Sequence, residues 1–210
     1  TTPSGEQTLK PPGNLEQWRC LMSMVSNADI TVGVRWRAFK LCVAHVPALP
    51  LFEELASSVL QLEQSSLPSI RVACVDAITA IIKAARVYPC TDDQAEVCAR
   101  TAIIINVCNE ATPVICRLLV GSGLHHRRLG RSARAFASEA FATIPDDIPR
   151  MIASGLTAQC DRIADTGYDV RLVVQSWLRR CRHAQSNVPE DLVSRLLARL
   201  SCPLPDGTIL

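Results

Sequence analysis

The chain is poor in aromatic residues: Phe, Trp and Tyr make up 4% of its 210 residues, although 48% of it is hydrophobic. Its apolar content is therefore carried by Ala, Val, Ile and Leu, which suits closely packed helices better than a β core. Lysine is nearly missing too, with only Lys10, Lys40 and Lys83 among 22 basic residues. Arginine holds carboxylates and phosphates in bidentate geometry, yet codon composition produces the same bias. A formal net charge of +2 removes any global demand for nucleic acid or an anionic membrane. The ten cysteines include no CxxC pair, and Cys42, Cys74, Cys116 and Cys181 fall on apolar faces, where a thiol behaves as a small hydrophobe. Neither a signal peptide nor an apolar run long enough to cross a bilayer is expected. A reduced cytosolic setting fits this pattern.

Catalytic signatures are just as scarce. There is no GxSxG, no glycine-rich phosphate loop and no HExxH. Cys42 and His45 are three apart on a helix, and Cys181 and His183 are two apart; neither pair brings the further ligands a zinc site needs. The acidic pairs Asp92–Asp93 and Asp146–Asp147 fall at helix starts, where carboxylates favour the helix dipole. The expectation is a non-enzyme with no cofactor and no metal.

What the chain has is helical periodicity. Phe52, Leu55, Ala56, Val59 and Leu60 follow the spacing of one apolar helix face. Ala133, Phe136, Ala137, Ala140, Phe141 and Ile144 repeat it, as do Val170, Val173, Val174, Trp177, Leu178 and Cys181. Leu192, Val193, Leu196, Leu197 and Leu200 close the series. Between Ile70 and Arg86 almost everything past Arg71 is apolar except Asp76, Thr79, Lys83 and Arg86, which form one narrow stripe. Such a helix needs neighbours on its other sides. Prolines at 47, 50, 89, 145 and 149 punctuate the pattern, and Asn187 with Glu190 offers a cap for the last helix. Helices are predicted over 14–26, 33–46, 51–64, 69–87, 92–120, 128–144, 147–163, 167–184 and 188–201, the fifth kinked or restarted at Pro113. Residues 1–13 read as a linker or disordered arm, 14–202 as the helical domain and 203–210 as a tail; the abrupt start at Thr1 and the unhelical tail fit a domain excised from a larger protein.

The second helices of successive pairs align. Val34–Phe39, Ile70–Val75, Gly130–Phe136 and Val170–Val174 each open with an arginine (Arg35, Arg71, Arg131, Arg171) followed by an apolar face. The fold class predicted is all-α, a HEAT-like α-solenoid of helical hairpins. More narrowly, Ile70-Arg71-Val72-Ala73-Cys74, the run Pro113–Leu119 followed by Arg127-Arg128 and Ser132-Ala133, and Val170-Arg171 resemble stretches of TOG domains of the CLASP type. That resemblance implies a paddle that binds tubulin or microtubules through the turns within its repeats, as part of a cytoskeletal regulator of the cytoplasm, cilium, centrosome or spindle. Two positions depart from the family: its first-loop tryptophan falls near Val32, with Trp36 displaced into the helix, and its second-loop basic residue falls near Ser66.

Stacked hairpins bring their internal turns, here near 26–34, 64–70, 121–130 and 163–169, to one edge. Arg35, Arg37, Arg71, Arg127, Arg128, Arg131 and Arg171 lie in or beside them. Arg117 to Arg134 carries five arginines, His125 and His126, and no acidic residue, a local positive patch for a carboxylate-rich partner. Trp36, Arg35, Arg71, Arg127, Arg128, Arg131 and Arg171 are therefore the candidate partner-binding residues. Arg35, Arg71 and Arg171 are also open to a structural role, bridging to a carboxylate such as Asp76 or Asp169. Trp18 and Trp177 belong to apolar faces and are assigned to the core. Two other functions stay open: a scaffold that docks another protein on its helix faces, and a HEAT-like nucleic-acid binder, against which the near-neutral charge argues.

Overall fold

A computed structural model describes residues 9–65, 67–89, 93–121, 127–163, 166, 168–183 and 190–200, all helix or connecting turn, with no strand among them. The helices are α1 (Leu15–Ser26), α2 (Val32–Ala44), α3 (Leu51–Leu60), α4 (Pro68–Arg86), α5 (Gln94–Gly121), α6 (Arg127–Thr143), α7 (Ile148–Thr157), the single turn α8 (Cys160–Ile163), α9 (Tyr168–His183) and α10 (Glu190–Leu200). A 3-10 turn, Gln61–Gln64, extends α3. The predicted ends agree within about two residues, as expected where prolines and caps mark them, except that the predicted 147–163 divides into α7 and α8 and the last turn of 51–64 is 3-10. α5 runs through Pro113 as one helix rather than restarting. The proposed cap at Asn187 and Glu190, the greater part of the arm and the tail lie outside the described residues.

Local chemistry accounts for these elements. Asn14 caps α1 by accepting from the Gln17 N–H at 2.9 Å, while Gln17 Oε1 accepts from the Gly13 N–H at 2.8 Å, a reciprocal cap that closes the helix start. Pro68 opens α4 at a position where a missing N–H costs nothing. Thr79 and Thr112, buried in α4 and α5, satisfy their hydroxyls on the carbonyls four residues back.

Helix contacts follow a regular order. α1, α3, α5 and α7 each touch the next in one row; α2, α4, α6 and α9 do so in a second row; and α1–α2, α3–α4, α5–α6 and α7–α9 pair across the rows. The core between them includes Trp18, Phe52, Ile78, Leu119, Phe136 and Trp177, all at most 1% exposed. Each aliphatic or Phe side chain so enclosed contributes roughly 1.5–3 kcal/mol. Trp18 and Trp177 are core residues, as their spacing predicts, and the Trp18 indole donates to the Cys42 carbonyl at 2.9 Å. α5 is long and apolar enough by composition to cross a bilayer, contrary to the reading above, but 61% of its most apolar window is buried in this fold. It is the central helix of the first row, packed on α3, α4, α6 and α7.

The exposed side of the first row is tied by polar pairs. Arg117 in α5 grips Glu63 through both carboxylate oxygens at 2.7 and 2.8 Å, Asn106 donates to Glu53 at 2.9 Å, and Ser57 donates to Glu110 at 2.9 Å. Arg117, counted in sequence as part of a basic patch, is thus neutralised by a residue 54 positions away.

A candidate partner-binding edge and groove

The candidate arginines separate into two sets. Counted from the first residue of their helices, Arg35 in α2, Arg71 in α4 and Arg171 in α9 are all fourth. Each folds back on the end of the preceding segment. Arg35 Nε donates to the Val25 carbonyl at 2.9 Å, Arg71 Nε to Ser65 at 2.8 Å, and Arg171 Nε to Thr166 at 3.0 Å. Carbonyls at helix ends lack intrahelical donors, so a guanidinium at this position closes the turn and satisfies one of them. Arg171 goes further: it is fully buried, and its Nη1 donates to the Leu200 carbonyl at 3.2 Å. This corrects its assignment to the contact edge, because an enclosed guanidinium cannot reach a partner's surface. For Arg35 and Arg71 the partners are these backbone carbonyls rather than the proposed carboxylate bridge. Arg35 and Arg71 stay half-buried.

In α6 the fourth residue is Gly130, and Arg131 is fifth. A Cβ at Gly130 would stand 3.4 Å from Val173 Cγ2, so this fourth position faces α9. One residue turns a helix by about 100°, which moves Arg131 out of the inward register and into solvent. Arg127 and Arg128, the first two residues of α6, are exposed as well, and no acidic residue occupies that first turn. Cations at a helix N-terminus oppose its dipole, each by about 0.3–1 kcal/mol. Neither Arg128 nor Arg131 makes an ion pair among the described residues. Arg134 instead bonds back to the Gly130 carbonyl. His125, His126 and Ser66 lie outside the described residues.

Trp36 connects these arginines to an apolar surface. It is half-buried and stacks on Phe39, ring centres 5.1 Å apart and planes inclined by 22°. Together with Arg35, Arg128 and Arg131 it lines an open groove of about 730 Å³ over α2, α4 and α6, where Asp76 is the single acidic lining residue among the described residues. Four of the seven candidate residues therefore converge. Arg71 lies beside two lining residues, Ile70 and Val72, Arg127 beside Arg128, and Arg171 is removed to the core. Sequence reasoning did not reach the groove itself. α2 buries only Ala38, Phe39 and Cys42, which leaves Trp36 half-buried at the groove.

Burial pushes the thiols of Cys42, Cys74, Cys108, Cys116 and Cys181 up to about 12, so they stay protonated at neutral pH. Cys20, Cys42, Cys74, Cys98, Cys108, Cys116 and Cys181 form no disulfide, and no group of three His, Cys, Asp or Glu side chains is placed to hold a metal among the described residues. No protein-family model, curated protein or solved structure matches the chain.

Proposed function

We propose that the chain is a HEAT-like stack of helical hairpins of the TOG kind, a non-catalytic module that binds tubulin or microtubules through the arginine edge at the start of α6. The observation that carries this reading is the convergence of Arg128, Arg131, Arg35 and Trp36 around one opening whose lining holds a single carboxylate. The alternating helix contacts support the hairpin stack. A carboxylate-rich protein face complements such an edge, and charge of this kind steers encounter and sets orientation. Arg127, Arg128 and Arg131 supply the charge; Arg35 and Arg71 hold the turns in shape. Gel filtration with tubulin tests the reading: the chain should co-elute, and the variant R127E/R128E/R131E should not.

A second reading is favoured by the groove. An apolar opening on the helix faces suits a scaffold that docks another protein there.

A further inference from the structure

We propose that the seam between α2 and α4 is a docking slot for an acidic amphipathic helix of a partner protein. A second cavity, of about 620 Å³, continues the first along this seam, and Trp36 and Phe39 form a wall common to both. An exposed apolar residue stands at each end: Val32, 48% exposed, lines the upper cavity, and Val87, 72% exposed, lines the lower. The slot exists because α4 presents small residues to α2. Ala73 lines the upper part and Ala80 and Ala84 the lower, all only half-buried, so α2 lies over a trough it does not fill.

Charge selects the occupant. The charged side chains lining the seam, apart from Asp76, are the cations Arg35, Lys40, Arg128 and Arg131. Length selects its form. The seam follows α2, 13 residues or about 20 Å of helix, so three to four turns of an amphipathic helix span it. Leucines on one face would enter beside Trp36 and Val43, and acidic residues on its flanks would meet the cations. Trp and Arg at the centre of an apolar opening are the residue types that dominate binding energy at protein interfaces.

The test uses two synthetic helical peptides of about 14 residues, both with leucines at i, i+4, i+7 and i+11, one flanked by glutamates and one by lysines. Trp18 and Trp177 are at most 1% exposed, so acrylamide quenching of tryptophan fluorescence reports Trp36. The acidic peptide should protect Trp36 and the basic one should not. K40E/V87E, both at exposed positions in the lower cavity, should weaken the acidic peptide by about tenfold or more. Equal protection by both peptides, protection by neither, or quenching that falls with the chain's own concentration (a second copy as occupant) would overturn the proposal. Because K40E/V87E lies away from Arg127, Arg128 and Arg131, it should leave tubulin co-elution unchanged, so failure of the slot and failure of the tubulin reading are seen separately.

Discussion

Gly155 in α7 lies so close to Cys116 in α5 that a methyl group added to it would sit 2.9 Å from the Cys116 sulfur. The Pro113 backbone is also within 3.6 Å of that position. This close approach lets the central helix of the first row bury its apolar surface on α7. Overpacking of this kind costs about 1–3 kcal/mol. Gly155→Ala should therefore lower Tm by several degrees, and Cys116→Ala in the same chain should restore part of the loss. A thermal melt of the two single variants and the double variant measures the coupling.

The arginine register makes a graded stability prediction. Arg171→Ala strips donors from two buried carbonyl partners and should cost about 3 kcal/mol in urea unfolding. Arg35→Ala and Arg71→Ala remove one described carbonyl bond each at half-buried sites and should cost about 1 kcal/mol. Arg128→Ala and Arg131→Ala should cost nothing measurable, since each removes a cation from the first turns of α6, where it opposes the dipole. A loss at Arg128 or Arg131 as large as that at Arg171 would contradict the division into turn-closing and outward-facing arginines.

Buried thiols predict the alkaline limit of stability. Their folded values lie near 12 against an ordinary 9.0, so between those values the unfolded chain gives up protons that the folded chain retains. Stability from this source is fully present below pH 9 and is lost as pH rises towards 12, by about 1 kcal/mol per pH unit for each thiol. Urea midpoints measured from pH 7 to 11 should fall only above pH 9. In the folded chain at pH 8, a thiol reagent should label Cys20 and Cys98 quickly, and these five only on unfolding.

A fourth prediction concerns the second row. Arg86 in α4 pairs with Glu139 in α6 at 2.9 Å, where the glutamate side chain is only 11% exposed. Arg86→Ala strands a largely desolvated carboxylate and should destabilise more than Arg86→Ala/Glu139→Gln, which removes the charge as well. Equal destabilisation in the two variants would show that the pair carries little.

Much of the fold was legible because helix period and proline punctuation are local. Trp18, Phe136 and Trp177 share faces with other apolar residues, and such faces have to be buried. The arginines were less legible, since their partners are carbonyls whose positions depend on the path of each turn. Arg131 and Arg171 sit in similar sequence surroundings, yet one residue of helical phase sends one outward and encloses the other. Arg117 opens a basic stretch that holds no acid up to Arg134, yet Glu63 reaches it through the packing of α3 on α5. The groove depends on how far α2 stands from α4, a tertiary quantity that no local pattern encodes.

The proposed tubulin-binding edge rests on the exposed arginines at the start of α6. Titration of fluorescent tubulin with the wild-type chain and with R128E/R131E, at low and at moderate salt, tests it most directly. Binding should be saturable, weaken with salt and fall by about tenfold or more in the variant, with an unchanged thermal melt. No binding at tens of micromolar, or equal binding by both chains, would contradict it.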